Sequence, residues 1–335
     1  MTTDRAAAIV AFLRRHGWDG ADRRPLAGDA SFRRYERLTR DGARMVLMDA
    51  PPPQEDVTPF VTVAGHLADL GFSAPRIAAS DEAAGLLLLE DLGDDTFTGA
   101  LAAGGDEQAL YRLAVDLLVA LHRRADAAAI DLPPYDEAPL LAEAGLLVDW
   151  YLPVVTGVPT ADPLRADYLE AWRQVLPHAA GLPPTLVLRD YHVDNLMVLA
   201  DRAGVAACGL LDFQDALIGS PAYDLVSLLE DARRDVPPAI VAEMYDRYLT
   251  ARGDLDRARF AAAYDVLGAQ RNAKIIGIFT RLCRRDGKPH YLGHIPRVWR
   301  LLHRDLTNPA LAPVADWLDA HLPPDLRTAP PTAAS

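Results

Sequence analysis

The 335-residue sequence predicts an α+β, bilobal chain: a small N-terminal lobe built on an antiparallel sheet with helices, then a larger, mainly helical C-terminal lobe. Three observations predict it. Alternation at 32–38 and short runs at 44–50, 77–79 and 85–90 read as strands. From residue 107 onward the apolar spacing changes to that of helices. Between them the stretch 86–93, Leu-Leu-Leu-Leu-Glu-Asp-Leu-Gly, shifts from buried apolar to acidic and glycine-bearing, as a crossover between two lobes does. The lobes are placed at 1–91 and 92–322. Residues 323–335 are poor in packing side chains and are read as a frayed tail.

In order, residues 3–16 carry Ile9, Val10, Phe12 and Leu13 beside Arg14 and Arg15 and stop at Gly17, an amphipathic helix with a glycine terminator. Residues 25–38 read as a hairpin with a tip of small residues from Gly28 to Ser31. Backbone N–H groups and the Ser31 hydroxyl at such a tip can cover phosphates, and a plain surface hairpin fits equally well. A third strand ends at Pro51-Pro52-Pro53, and residues 54–70 have helical spacing (Val57, Phe60, Val61, Ala64, Leu67) closing at Gly71. Beyond the crossover, 107–124, 136–152, 163–179, 222–234, 238–252, 256–283 and 291–304 are expected helices, with proline joints at Pro183-Pro184 and Pro237-Pro238. One strand–loop–strand unit, about 185–215, interrupts them.

The bulk numbers exclude several classes. With 47 acidic against 34 basic residues the formal net charge is −13, which argues against nucleic acid or an anionic membrane surface as a partner. The two cysteines, Cys208 and Cys283, suggest a reducing compartment and neither a disulfide framework nor a zinc site. No signal-like h-region opens the chain, and no apolar run reaches the roughly 20 residues of a membrane span. A cytoplasmic protein is expected.

The chemistry concentrates in the inserted unit. Leu188-Arg189-Asp190-Tyr191-His192-Val193-Asp194-Asn195 and Leu210-Leu211-Asp212-Phe213-Gln214-Asp215 each follow a short apolar run. Asp190, Asn195 and Asp212 are therefore expected at strand ends, where three oxygen-bearing side chains can gather. A carboxylate to orient a hydroxyl, with an amide and a second carboxylate on Mg²⁺, is the minimum apparatus for moving a phosphoryl group. The spacing Asp-x-x-x-x-Asn followed by Asp-Phe matches kinase catalytic-loop and metal-binding signatures. Each residue alone would read as a turn former or helix cap, and it is the set in order that favours chemistry. Asp194 and Asp215 are placed on the solvated side, and His192 reads as a structural histidine.

Together with Pro221-Ala222-Tyr223-Asp224, these motifs resemble the aminoglycoside phosphotransferase family, a branch of the protein-kinase-like fold. Gly28-Asp29-Ala30-Ser31-Phe32-Arg33-Arg34-Tyr35, Met48-Asp49-Ala50-Pro51 and Leu89-Glu90-Asp91-Leu92 are similar to a narrower group within it. That group comprises cell-wall-recycling kinases that act on the anomeric hydroxyl of N-acetylmuramate and N-acetylglucosamine. The resemblance implies ATP and an amino sugar as substrates. It gives Asp190 as the group that takes the hydroxyl proton, Asn195 and Asp212 as Mg²⁺ ligands, backbone groups of Glu90 and Leu92 as readers of adenine, and Asp224 as a brace for the loop. Two departures stand out. Leu188-Arg189 replaces the family's usual His-Gly before Asp190, and the third strand, Met45-Val46-Leu47-Met48, lacks the phosphate-pairing lysine. Arg33 or Arg34 is the expected substitute cation, with solvated strand residues as the alternative.

Sugar contacts are sought on two helices, at Glu143, Asp149 and Trp150 and at Gln270, Arg271 and Asn272, each of which also reads as an ordinary helix residue. Arg281, Arg284 and Arg285 form a basic patch that either meets a substrate carboxylate or offsets the net charge. Rival readings are an aminoglycoside kinase on the same fold, which would want a densely acidic pocket, and a non-catalytic nucleotide-binding module. Metal-dependent phosphoester hydrolysis lacks a second His-rich cluster.

Overall fold

The computed structural model describes residues 2–26 and 32–332, and the chain divides into two compact units, 1–117 with 193–216 and 118–192 with 217–335. In the first unit α1 (Thr2–Arg15) precedes the strands β1 (Asp22–Pro25), β2 (Arg34–Arg40) and β3 (Ala43–Asp49). Next come α2 (Thr58–Asp69), β4 (Ile77–Asp81) and β5 (Leu86–Glu90). The five strands form one antiparallel sheet in the order β1-β2-β3-β5-β4. Register between β2 and β3 is fixed by their two-residue turn: Asp41 and Gly42 both have positive φ, 50° and 82°, the backbone that suits the right-handed twist of a hairpin. At Gly85 a Cβ would stand 1.9 Å from the Ala50 carbonyl oxygen, so only glycine lets β4 turn into β5 there. One sheet face packs Leu38, Leu47, Leu86 and Leu88 against Ile9, Phe12 and Leu13 of α1. The exposed edge strand β1 is Asp-Arg-Arg-Pro, charged and proline-ended, a composition that discourages strand pairing.

The crossover leads to α3 (Phe97–Ala102) and to α4 (Glu107–His122), within which the division between units falls. Arg37 of β2 ties the crossover down, with Nη2 donating to Asp91 Oδ1 at 2.9 Å and Nη1 to Asp94 Oδ1 at 2.7 Å. The first unit also holds the antiparallel pair β7 (Leu196–Val198) and β8 (Cys208–Leu210), joined to the rest by Ser73 Oγ donating to the Ala206 carbonyl at 2.7 Å.

The second unit contains α5 (Glu137–Ala144), a π-helical turn (Leu147–Tyr151), α6 (Leu152–Thr156), α7 (Asp162–Val175), and the pair β6 (Thr185–Val187) and β9 (Leu217–Gly219). It continues with α8 (Ala222–Leu229), α9 (Pro238–Ala251), α10 (Arg257–Asp286), α11 (Ile295–Asp305) and α12 (Ala312–His321). Its centre is the 30-residue α10, buried on all sides in its middle: Gln270, Arg271, Asn272, Ala273 and Lys274 are all under 10 % exposed. Gly277 lets the π turn approach it, since a Cβ there would lie 2.3 Å from Leu146 backbone atoms.

Several boundaries differ from those expected. The helix expected over 54–70 starts at Thr58, whose N–H is taken by Asp56 Oδ1 at 2.8 Å, with Pro59 in the first turn. The helix expected over 222–234 stops at Leu229. Asp231 Oδ1 accepts the Arg233 N–H at 2.7 Å and competes with the helical ladder. Over 136–152 the helix slips into the π turn just before Pro153, which has no N–H to continue an α ladder.

Contrary to the expected absence of any spanning stretch, residues 137–156 are long and apolar enough to cross a membrane by length and composition. Here they form core helix: the stretch is interrupted at the π turn, crosses α10 at Gly277, and carries Glu143 and Asp149 in ion pairs with Lys274 and Arg165. Of the segment expected to fray, the part around Leu326 and Thr328 is held. The Tyr151 hydroxyl lies 2.5 Å from the Leu326 carbonyl and 2.7 Å from that of Thr328, while it accepts from Trp299 Nε1 at 3.1 Å.

Candidate active site

In the first unit a cavity of about 420 Å³ is lined by apolar side chains of the sheet (Val46, Leu89), of α2 (Phe60) and of the β7–β8 region (Met197, Leu211). Glu90 and Leu92 of the crossover, the polar side chains of Asn195 and Asp212, and Tyr35, Arg37, Asp91, Asp94 and Thr96 also line it. An apolar slot with a few polar groups at one end is the usual form of a nucleotide-sized site. The Glu90 N–H is already committed to the Arg76 carbonyl at 2.8 Å, and its carboxylate accepts from Arg202 Nη2 at 2.6 Å.

Asn195 ends a 3₁₀ turn (Val193–Asn195) directly before β7, and Asp212 follows β8. The two ends meet because the Leu211 N–H donates to the Asn195 carbonyl at 2.9 Å. Asp212 has φ 57°, a left-handed conformation in which Asp is among the better-tolerated residues. Its Oδ1 accepts from Gln214 Nε2 at 2.8 Å, and Asn195 Nδ2 stands 3.4 Å from Oδ2. Arg33, directly before β2, puts Nη2 3.9 Å from Asp212 Oδ1 and Nε 3.7 Å from Glu55 Oε2. Glu55 also accepts the Phe32 N–H at 2.9 Å. The expected substitute cation is thus beside the candidate metal ligand. Gly28 and Ser31 lie outside the described residues.

These residues fit Mg²⁺. An amide and a carboxylate are hard oxygen donors, and the position already accommodates a guanidinium charge at 3.9 Å. No group of three or more His, Cys, Asp or Glu among the described residues could enclose a metal unaided. Mg²⁺ suits a two-ligand site of this kind, because it keeps waters and takes its remaining ligands from phosphates.

Asp190 lies in the second unit. It follows β6 through a tight three-residue turn in which the Asp190 N–H donates to the Leu188 carbonyl at 2.8 Å and the central residue, Arg189, has φ 69°. That backbone favours glycine, which the related motif carries there. The turn is held from both sides. Asp224, in the first turn of α8 and wholly buried, accepts the Leu188 N–H at 2.7 Å and the Arg189 N–H at 2.8 Å. The Arg189 guanidinium bonds Glu143 and stands 5.5 Å from the centre of the Tyr135 ring. Glu143 also receives Lys274 Nζ at 2.9 Å and the Tyr135 hydroxyl at 2.5 Å.

Burial would push the Asp190 carboxyl up, yet Lys274 foremost, with Arg271 and Arg189, holds it below the usual carboxylate range. His192 reinforces this only when charged, and burial and Arg233 push that imidazole down to about 4. Burial pushes Asp224 up to about 7, opposed by the two N–H bonds and aided by the Asp190 charge. The site so described has an ionised carboxylate on a stiff turn and a cation-neutralised support beneath it.

The expected sugar contacts separate. Glu143 joins the Asp190 support. Asp149 pairs with Arg165 at 2.7 Å on the π turn, and the neighbouring Trp150 is half-buried. Arg271 is buried and donates to the Glu230 carbonyl at 3.2 Å. Asn272 is wholly buried and donates to Glu230 and Asp305, each at 2.9 Å, so it serves the packing of α10 against its neighbours. Lys274 escaped the sequence reading because periodicity marks it as core. Its signal was compositional: only two of the 34 basic residues are lysines, and one of them occupies the middle of an apolar helix.

Residues 22–262 match the family described as Phosphotransferase enzyme family, and the chain belongs to it. Among solved structures, a choline/ethanolamine kinase family protein from Mesorhizobium loti has a TM-score of 0.62 at 16 % identity, covering 96 % of this chain and 100 % of its own. The GDP complex of aminoglycoside 2′-phosphotransferase-IIIa has a TM-score of 0.60 at 17 % identity, covering 90 % and 98 %. These show the protein-kinase-like fold. Two curated relatives are named N-acetylmuramate/N-acetylglucosamine kinase. That of Caulobacter vibrioides is 39 % identical over 98 % of this chain and 99 % of its own, and that of Pseudomonas aeruginosa is 42 % identical over 89 % and 88 %.

Proposed function

We propose that this chain is an ATP-dependent sugar kinase of the cytoplasm that phosphorylates the anomeric hydroxyl of N-acetylmuramate and N-acetylglucosamine, in peptidoglycan recycling. The observation that carries it is that Asn195 and Asp212 line a nucleotide-sized cavity with Arg33 beside Asp212, Asn195 lying five residues of chain after Asp190. The names of the relatives support the sugar. In this division residues 1–91 cover the nucleotide and 92–322 hold the catalytic and acceptor groups.

Asp190 accepts a hydrogen bond from the sugar hydroxyl, aligns its oxygen with the γ-phosphorus, and takes the proton as the new P–O bond forms and the bond to the β-phosphate oxygen breaks. An anomeric hydroxyl is more acidic than other sugar hydroxyls, so a base held below the ordinary carboxylate range suffices. Asn195 and Asp212 would hold Mg²⁺, which would supply positive charge to neutralise the nucleotide's phosphates. Arg33, steadied by Glu55, supplies the positive charge that a strand lysine gives elsewhere, and Glu90 and Leu92 border the base.

Incubation with Mg²⁺-ATP and a panel of N-acetylated hexoses and kanamycin, with ³¹P NMR of the products, tests this. A 1-phosphate of N-acetylmuramate or N-acetylglucosamine is the expected product. Phosphorylation of kanamycin alone, or none, overturns the assignment.

A further inference from the structure

The turn that carries Asp190 needs a backbone that its central residue resists. Arg189 has φ 69°, where a Cβ crowds the following carbonyl and arginine lacks the short polar arm with which Asn or Asp bonds locally. The guanidinium at this position bonds Glu143. Glu143 lies in the last turn of α5, and α5 is fixed on α10 by Gln270 Nε2, which donates to the Leu140 carbonyl at 2.9 Å. Oε1 of Glu143 takes Arg189 and Lys274 Nζ, the latter at 2.9 Å. Oε2 takes the Tyr135 hydroxyl at 2.5 Å and Gln270 Nε2 at 3.4 Å. Four donors thus occupy a group with about four lone-pair sites, so this carboxylate serves the protein rather than a sugar hydroxyl. Burial would push it up, yet Lys274 foremost, then Arg189, hold it below its ordinary range and keep it ionised between two cations.

We propose that the Arg189–Glu143 pair does here what glycine does in the related motif: it holds the left-handed turn, and with it the Asp190 carboxylate, in one orientation. Glu143 is then a positioning residue for phosphoryl transfer. The proposal rests on the sugar-kinase reading, in which Asp190 aligns the acceptor hydroxyl. Asp224 fixes the same turn through the N–H groups of Leu188 and Arg189, and that anchor is indifferent to the side chain at 189. The Glu143 anchor exists only while a cation stands there, and a guanidinium fork fixes direction as well as distance on a carboxylate. Glycine at this position would relieve the backbone and remove the need for an anchor.

The test measures kcat and KM on the better of the two sugars for the native chain, Arg189→Gly, Arg189→Ala and Arg189→Lys, and for Glu143→Gln with and without Arg189→Gly. Arg189→Ala keeps the Cβ and loses the anchor, so kcat should fall at least tenfold with KM within twofold of native. Arg189→Gly needs no anchor and Arg189→Lys keeps a cation for Glu143, so each should stay at least fivefold above Arg189→Ala. Glu143→Gln should lower kcat at least tenfold in the native background and under threefold in the Arg189→Gly background. Equal kcat in Arg189→Ala and Arg189→Lys, or the same loss from Glu143→Gln in both backgrounds, would overturn the proposal. If Glu143→Gln does not fold, the comparison at 189 decides alone. Failure of the native chain to phosphorylate either sugar would defeat the underlying function, a separate result. The anchor is then read from urea midpoints, where Arg189→Ala should lie below both Arg189→Gly and Arg189→Lys and equal midpoints would overturn it.

Discussion

Asp190 is set by its neighbours more than by its own burial. Replacing it with Asn keeps the shape and removes the proposed base, so kcat should fall by roughly 100- to 10,000-fold while ATP still binds, read by steady-state assay and nucleotide titration. Because Lys274 is the foremost group holding the carboxyl low, Lys274→Met should move the acid limb of kcat/KM to higher pH. With the cation gone the base protonates sooner as pH falls, and activity is lost earlier. An unmoved acid limb would show that Lys274 only packs. Asp190, Asn195 and Asp212 were legible as candidates because kinase signatures impose order and spacing along a short segment. Lys274 was not, since its contribution crosses from a helix far along the chain. Arg33 was legible only through the missing strand lysine, which left a charge to be supplied.

At the scale of the element, α10 shows how a buried helix limits substitution. Gly277→Ala would drive a methyl into the Leu146 backbone, 2.3 Å away, and should destabilise the chain by about 1–3 kcal/mol. A lower urea midpoint at unchanged m-value is the expected signature. The strands and long helices were readable from period alone, whereas their ends were decided by side chains. Asp56, Asp231 and Pro153 each spend or withhold one backbone hydrogen bond and move a boundary by several residues. Periodicity registers a face and carries little information about such single bonds.

For the molecule as a whole, acid stability follows from groups buried without charge. His122 is pushed down to about 3 by burial, and His192 to about 4. Both fall below the unfolded value near 6.5, so their contribution is intact above that pH and is lost as pH drops toward 4. Asp224, pushed up to about 7, works in the opposite sense between about pH 4 and 7 and offsets one histidine. The net expectation from these three groups is a denaturation midpoint that falls between pH 6.5 and 4.5. In His122→Phe the slope should be shallower, and an equally steep slope would remove His122 from the account.

The Tyr151 hydroxyl has one proton and two carbonyls competing for it, at Leu326 and Thr328. Its lone pair is meanwhile claimed by the Trp299 indole. Anyone shortening the chain at Leu322 for crystallisation would strand a buried phenol and loosen the tryptophan beside it.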